Sequence, residues 1–189
     1  MIGDDTGDNL SKLNRSLSEM SAIYWAWKNY KELGNPKYIG FAHYRRLIRP
    51  DGELNNFDIY VSKKYILKKS ESVFNQYINS HKKEDIEIAI KILKEKFPDY
   101  ALSADEYLQD NKAYFNNLFI MRKEIFFEYC EWLFSILFEV QNQIDLNDFK
   151  TQDGKCVLAF LSERLSGIFM HHKAKLGYKI KEVDVIEYK

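Results

Sequence analysis

The sequence predicts a single layered α/β domain with a mixed sheet, because strand-like and helix-like segments alternate along the chain. Residues 38–47 and 113–121 are apolar runs with the length and composition of buried strands. Between and after them lie segments whose apolar residues recur at helical spacing, of which residues 122–141 are the most apolar. The 189 residues suffice for one domain with a core.

Composition excludes several classes of protein. Lys+Arg and Asp+Glu are balanced at 28 each, so no excess of positive charge predicts a nucleic-acid partner. Aromatic residues make up 15% of the chain, which favours a large aromatic core or a site that stacks on rings or sugars. Cys130 and Cys156 lie far apart in helical patterns and are expected to be buried thiols in a reducing compartment.

The sequence also predicts a cytoplasmic protein. No apolar run reaches the roughly 18 residues that a membrane span needs, and the acidic, polar start of the chain is unlike a secretory signal. Residues 63–83 carry many lysines among aromatic residues. Such a segment is usually a solvated helical face, and binding to an anionic lipid surface, such as the inner face of the cell membrane, or to an anionic acceptor is the alternative.

Turn-forming residues dominate positions 1–15. Asp4, Asp5 and Asp8 lie close enough in sequence to hold a hard cation such as Mn²⁺ or Mg²⁺. Their spacing is not that of an EF-hand, and solvated turn carboxylates are the commoner case. The metal site is therefore only the weaker interpretation.

The first helix is expected to start at Ser16, with Glu19 completing a capping box. Its apolar stripe, typical of a core-facing helix, comprises Leu17, Met20, Ile23, Tyr24, Trp27 and Tyr30. Residues 34–36, Gly-Asn-Pro, should end it.

Residues 38–47 should begin as a buried strand, with Gly40 allowing a neighbouring strand to come close. The apolar run ends at His43, Tyr44, Arg45 and Arg46. Ligands of α/β proteins bind outside the carboxyl ends of strands, and two guanidinium groups suit a phosphate or diphosphate. The alternative is a solvated basic loop.

The remaining segments complete the pattern. Residues 57–62 form a short strand, and residues 86–97 form an amphipathic helix that Pro98 ends. The strand at 113–121 contains Asn116 and Asn117, which must find hydrogen-bond partners or face a ligand.

After helix 122–141 and a polar loop, residues 155–175 form a helix that contains Glu163 and Arg164. Arg164 is expected to point away from Glu163. His171 and His172 lack a third ligand and give little support for zinc. Residues 178–186 alternate and carry lysines, which predicts an edge strand.

The chain contains no Walker loop, GxGxxG, CxxC pair, GxSxG or HExxH. Several segments together nevertheless resemble a family of bacterial capsular-polysaccharide synthesis proteins, a domain of unknown function regarded as glycosyltransferase-like. The matching segments, in order, are Gly7-Asp-Asn-Leu-Ser11, Leu17-Ser-Glu19, Tyr24-Trp-Ala-Trp-Lys-Asn29, Tyr38-Ile-Gly40, His43-Tyr-Arg-Arg46, His81 with Asp85, Phe97-Pro-Asp-Tyr100, Phe115-Asn116, Phe119-Ile120, Tyr129-Cys-Glu-Trp-Leu-Phe134 and Glu163-Arg-Leu165.

The resemblance implies a GT-A-like, three-layer α/β/α domain spanning residues 1–189. Such a domain would transfer a sugar from a nucleotide-diphospho-sugar to a glycan or lipid-linked acceptor in capsule, O-antigen or exopolysaccharide synthesis. A non-catalytic glycan- or partner-binding module is the alternative, and a phosphate-ester hydrolase that uses His43 is a third. Family members carry several dozen residues before the Gly-Asp-Asn segment, so the first nucleotide-binding strand is expected to be missing here.

The resemblance also assigns roles to residues. Where most GT-A enzymes carry an Asp-x-Asp that holds a metal, this chain has His43-Tyr-Arg-Arg46, and Arg45 with Arg46 would stabilise the leaving diphosphate. The other donor-binding candidates are Tyr44, Asp8, Asn9, Lys12 and Asn116. Glu163 is the candidate general base, with His43 as a second catalytic group. A helix carboxylate that merely binds a lysine or a backbone amide is the alternative for Glu163.

Overall fold

The computed structural model describes residues 3–148 and 155–188 of the chain. Its strands are β1 (Tyr38–Phe41), β2 (Arg46–Ile48), β3 (Ile59–Ser62), β4 (Tyr65–Ile66), β5 (Lys112–Ala113), β6 (Phe119–Arg122), β7 (Ile180–Val183) and β8 (Val185–Glu187). Its α-helices are α1 (Asn14–Leu17), α2 (Met20–Lys28), α3 (Val73–Ser80), α4 (Lys83–Lys96), α5 (Ala101–Gln109), α6 (Lys123–Gln141) and α7 (Val157–Lys175). Short 3-10 turns cover Ser11–Leu13, Tyr30–Leu33 and Pro98–Tyr100.

The main sheet is mixed, as predicted, with strand order β1-β6-β3-β7. β6 is antiparallel to both β1 and β3, whereas β3 and β7 are parallel. All four residues of β3 are buried, which fits the apolar run from Ile59 to Val61 that opens the strand. Gly40 lets β1 and β6 approach, because a Cβ there would lie 2.8 Å from Cγ1 of Ile120. The lysine-bearing β7 lies at the edge, as predicted, but the strand expected over residues 178–186 is divided between β7 and β8, which belong to different sheets.

The core lies where α6 and α7 pack together and against the sheet. α6 buries ten side chains, and Tyr129 and Phe126 are fully enclosed. α7 buries residues on nearly every side, because α1, α4, α5 and α6 all contact it. The aromatic residues therefore serve mainly as core, with edge-to-face pairs such as Tyr129 with Phe169 at 5.2 Å between ring centroids.

The expected first helix is in fact two short helices. Ser18 adopts φ of +47°, which ends α1 and separates it from α2. Glu19 precedes α2, and no side chain caps that helix. The predicted capping box of Ser16 and Glu19 is therefore wrong, whereas the predicted burial of Leu17 and its stripe is largely confirmed.

Two predicted strands are also shorter than expected. Residues 38–47 form β1 and the start of β2 around a turn, closed by a hydrogen bond from Arg46 N to the carbonyl of His43 at 3.0 Å. Residues 113–121 form the end of β5 and most of β6, and Asn116 and Asn117 lie between them with φ of +69° and +47°. The asparagines thus lie in a turn, where a short polar side chain tolerates the left-handed conformation.

The helix predicted at 86–97 is confirmed as α4, but α5 was not predicted. The lysine-rich segment 63–83 holds β4 and α3. β8 turns back to pair with β2, and β4 pairs with β5. The loop predicted between the last two helices includes residues 149–154, which lie outside the described residues.

Candidate functional site

A cleft of about 260 Å³ opens where the α1–α2 junction, the 43–46 turn, the Asn116–Asn117 turn and the start of α7 meet. Its lining consists of Ser18, Glu19, His43, Asn116, Cys156, Ala159, Phe160 and Glu163. Three of the sequence-predicted site residues, His43, Asn116 and Glu163, are thus brought together from distant parts of the chain. We refer to this space as the cleft.

Glu163 projects from α7 and is 14% exposed. Its Oε1 accepts a hydrogen bond from the backbone N–H of Asn116 at 2.8 Å, and its Oε2 pairs with Nη1 of Arg164 at 2.7 Å. Burial raises the pKa of this carboxyl group, and the Arg164 charge and the Asn116 amide oppose the rise. The pairing with Arg164 corrects the expectation that the two side chains diverge.

Arg164 is a buried partner, with 3% of its side chain exposed. Its Nη1 also donates to the carbonyl of Phe160 at 3.1 Å, and its Nη2 donates to Oε1 of Gln76. The guanidinium carbon lies 5.2 Å from the ring centroid of Tyr77 and 5.1 Å from that of Phe115. Arg164 therefore holds Glu163 in position from the buried side of the cleft.

The two asparagines anchor different parts of the site. Asn116 Oδ1 accepts a hydrogen bond from Nη1 of Arg46 at 2.9 Å. Asn117 Nδ2 donates to Oε1 of Glu19 at 2.9 Å and to Oγ of Ser162 at 3.2 Å, and its Oδ1 accepts from Ser166 at 3.1 Å. The requirement that this pair find hydrogen-bond partners is confirmed.

His43 presents an imidazole with an unused nitrogen. Its Nδ1 is buried and has no hydrogen-bond partner among residues 3–148 and 155–188. The ring lies beside that of Tyr44, with 4.4 Å between centroids. The imidazole ring lines the cleft, whereas its Nδ1 lies beneath the surface, where a polar ligand in the cleft does not reach it.

The other residues of the 43–46 turn lie outside the cleft lining. Tyr44 is 75% exposed, and the Arg45 guanidinium lies over its ring at 4.7 Å from the centroid. Arg46 pairs with Glu187 of β8 at 2.9 Å and reaches the cleft only through Asn116. The turn thus carries two positive charges outside the cleft lining. Arg46 is the one that hydrogen-bonds to a lining residue, Asn116.

Two of the N-terminal candidates, Asp4 and Asp8, brace α2 in this structure. Asp4 accepts a hydrogen bond from Ser21 at 2.7 Å, and Asp8 accepts one from Tyr24 at 3.1 Å. Asn9 Oδ1 accepts from the Ser11 hydroxyl and amide, and Asp5 and Lys12 are exposed. In the part of the chain that the structure describes, no three His, Cys, Asp or Glu side chains converge as a metal site.

Sequence reasoning missed five lining residues. Glu19 was assigned to a helix cap, and nothing in the sequence marks Ser18 as the residue with positive φ. The other three share one signal: Cys156, Ala159 and Phe160 recur with Glu163 at spacings of three and four, which places them on one face of α7. That stripe could have been found once Glu163 was a candidate.

Charge divides the site in two. Glu19 and Glu163 are the charged groups among the described residues that line the cleft, whereas Arg45 and Arg46 carry positive charge on the adjoining turn. The Glu19 charge adds to the rise in the pKa of Glu163, after the larger effect of burial. The cleft therefore favours neutral ligands with hydroxyl groups, and the turn favours anions.

The fold and this cleft define a domain with a GT-A-like architecture. A solved structure described as the apo form of the WbbM bifunctional glycosyltransferase matches with a TM-score of 0.87 and 29% identity. The match covers 99% of this chain and 39% of that chain, so the present chain spans about two-fifths of that protein.

A family model matches residues 1–174, and the chain belongs to this family, the domain of unknown function DUF4422. No curated protein matches the chain. In residues 3–148 and 155–188, no helix combines the length and apolarity needed to cross a membrane.

Proposed function

We propose that this chain is a glycosyltransferase domain that transfers a sugar from a nucleotide-diphospho-sugar to a glycan or lipid-linked acceptor. The observation that carries the proposal is the match to a bifunctional glycosyltransferase, at a TM-score of 0.87, over 99% of the chain. The resemblance to capsular-polysaccharide synthesis proteins extends the proposal to bacterial capsule, O-antigen or exopolysaccharide synthesis in the cytoplasm, at the inner face of the membrane.

The division of charge supports separate places for the two parts of the donor. Arg45 and Arg46, flanked by Tyr44, would bind the diphosphate at the 43–46 turn. The sugar would enter the cleft, which is lined by neutral residues and two glutamates, beside Asn116 and His43. Asp8, Asn9 and Lys12 complete the proposed donor site from the N-terminal segment.

The proposed transfer requires that the acceptor hydroxyl lose its proton and that the anomeric carbon exchange its bond to the diphosphate for a bond to the acceptor oxygen. The acceptor hydroxyl gives its proton to a cleft carboxylate, for which Glu163 is the sequence-based candidate, as its oxygen bonds to the anomeric carbon. The bond from that carbon to the diphosphate breaks, and the diphosphate leaves with the electron pair. Arg45 and Arg46 would stabilise the charge that develops on it.

Most GT-A enzymes use a metal ion, and among the described residues no three His, Cys, Asp or Glu side chains converge to hold one. Asp4 and Asp8 hydrogen-bond to α2, and they do not converge with a third metal-binding side chain. We therefore assign no step to Mn²⁺ or Mg²⁺.

The test is the melting temperature of the chain against a panel of nucleoside diphosphates and nucleotide sugars, with and without Mn²⁺, followed by a transfer assay. A donor at a hundred times its Kd should add about 2.7 kcal/mol to the free energy of unfolding. Replacing Arg45 and Arg46 with alanine should abolish that increase. Lys68 and Lys69, an exposed adjacent pair, provide the matched control.

Three other results would overturn the proposal. Glycan binding without donor-dependent turnover would identify a binding module. Release of free phosphate from nucleotide sugars without transfer would identify a hydrolase. An equal loss of the donor effect in the control pair would show that bulk charge, not the 43–46 turn, binds the donor.

A further inference from the structure

The cleft contains a second carboxylate, Glu19, whose surroundings differ from those of Glu163. It follows Ser18, whose φ of +47° is strained for a residue other than glycine. Hydrogen bonds hold that conformation: the Ser18 amide donates to the carbonyl of Asn14 at 2.7 Å, and the Ser18 carbonyl accepts from Asn14 Nδ2 and from Ser21 Oγ, each at 3.1 Å. The strained junction places Glu19 in the cleft lining.

A buried network fixes one oxygen of Glu19. Oε1 accepts from Nδ2 of Asn117, a residue that is 7% exposed. Asn117 is itself held by Ser162 and Ser166, and Ser166 is bonded to the hydroxyl of Tyr129 at 2.5 Å. A carboxylate anchored this way has a defined orientation without being neutralised by a cation.

The second oxygen distinguishes the two carboxylates. Both oxygens of Glu163 already accept hydrogen bonds, from Asn116 and Arg164. Oε2 of Glu19 accepts none from the described part of the chain, residues 3–148 and 155–188. Glu19 is thus the cleft carboxylate with an oxygen available to a ligand.

We propose that Glu19 contacts the acceptor hydroxyl and is the general base, and that Glu163 is a positioning residue. In the step that follows, the hydroxyl proton moves to Oε2 of Glu19, the hydroxyl oxygen bonds to the anomeric carbon, and the diphosphate leaves with the electron pair. Glu163 accepts a hydrogen bond from the backbone amide of Asn116, and the side chain of Asn116 in turn accepts one from Arg46. The assignment rests on the proposed function and adds that the cleft selects a neutral sugar.

The first test compares Glu19→Gln, Glu163→Gln and Glu95→Gln, where Glu95 is an exposed glutamate on α4 that serves as control. Glutamine keeps an oxygen for Asn117 but is a far weaker base. Glu19→Gln should lower kcat at least about 100-fold and leave the donor-induced melting shift unchanged. Glu163→Gln should lower the melting temperature and weaken that shift.

A kcat within about threefold of the wild type in Glu19→Gln would overturn the assignment while leaving the transferase proposal intact. Absence of any donor shift and any transfer in the wild type would instead overturn the proposed function.

A second test does not need turnover. Cys156 lines the cleft and is half-buried, whereas Cys130 is fully buried and serves as the internal control for alkylation by iodoacetamide. Galactose, glucose or N-acetylglucosamine should slow alkylation of Cys156, glucuronate should not, and Glu19→Gln should weaken the protection several-fold. Equal protection in the variant, or none by any neutral sugar in the wild type, would contradict the proposal.

Discussion

Replacing Arg164 with methionine tests the account of the site most directly. The substitution keeps length and apolar volume but removes the charge that pairs with the 14%-exposed carboxylate of Glu163. It also removes the N–H groups that donate hydrogen bonds to the carbonyl of Phe160 and to the side chain of Gln76. Breaking a buried pair by removing one partner costs about 3–5 kcal/mol. For a domain of this size each kcal/mol lowers Tm by about 2–4 °C.

The loss of unfolding free energy in Arg164→Met should depend on pH, and the direction of that dependence follows from the pKa of Glu163. Burial raises the pKa of Glu163 in the folded state, so protonation of this group favours folding. That contribution is complete below the ordinary pKa of about 4.3 and is lost as the pH rises through the folded-state pKa. Without Arg164 the folded pKa rises further, so Arg164→Met should be destabilised more at pH 7 than at pH 4.5.

Urea unfolding of the wild type, Arg164→Met, Glu163→Gln and the double variant, at both pH values, measures these quantities. The double variant should be less destabilised than the sum of the single variants, because the unpaired charge is gone. Arg49→Met, at an exposed position, is the control. A loss under 1 kcal/mol in Arg164→Met, equal at both pH values, would refute the argument.

Two further predictions concern the scaffold around the cleft. Gly167→Ala should lower the free energy of unfolding by about 1–3 kcal/mol, measured in urea, because the added Cβ would lie 2.0 Å from the hydroxyl oxygen of Tyr107; an unchanged midpoint would contradict it. Asn117→Gly keeps the positive φ but removes the anchor of Glu19, so it should cost about 1–3 kcal/mol and lower kcat, whereas Asn117→Ala should cost more because alanine is strained there. Equal stability of the two Asn117 variants, in the same urea experiment, would refute the role of backbone conformation.

The elements that sequence reasoning located share a strong local signal. Helix α6 has apolar residues on several faces, and β3 is buried over its whole length with an apolar run from Ile59 to Val61, so burial accounts for both. Helix α5 was missed although Ser103, Ala104, Tyr107 and Leu108 are buried at helical spacing. It starts directly after the turn at Pro98–Tyr100, so no separate start signal sets it apart from that turn.

The turns were harder to predict because their signals are tertiary. Residues 43–46 contain none of the glycine, proline or asparagine that usually marks a turn. The turn there is held partly by the last strand: Tyr188 N donates to the carbonyl of Arg45, and Glu187 pairs with Arg46. These partners lie more than a hundred positions away in the chain, so a window along the sequence cannot detect them.

The same reasoning explains which site residues were found. His43 and Asn116 stood out as polar groups beside apolar runs, whereas Glu163 was singled out by the family resemblance, and the cleft brings the three together. Glu19 had an adequate local explanation as a helix cap, which hid its contact with Asn117 at a separation of 98 residues. A plausible local role is therefore weak evidence against a role in a site.

The turn at Asn116 and Asn117 links the two carboxylates of the cleft. The backbone amide of Asn116 binds Glu163, and the side chain of the adjacent Asn117 binds Glu19. Since both asparagines have positive φ, a change in either backbone moves the neighbouring anchor as well. The separation of the carboxylates is thus set by one short turn between β5 and β6, and substitutions that alter its conformation should disturb both groups together, even where neither glutamate is changed.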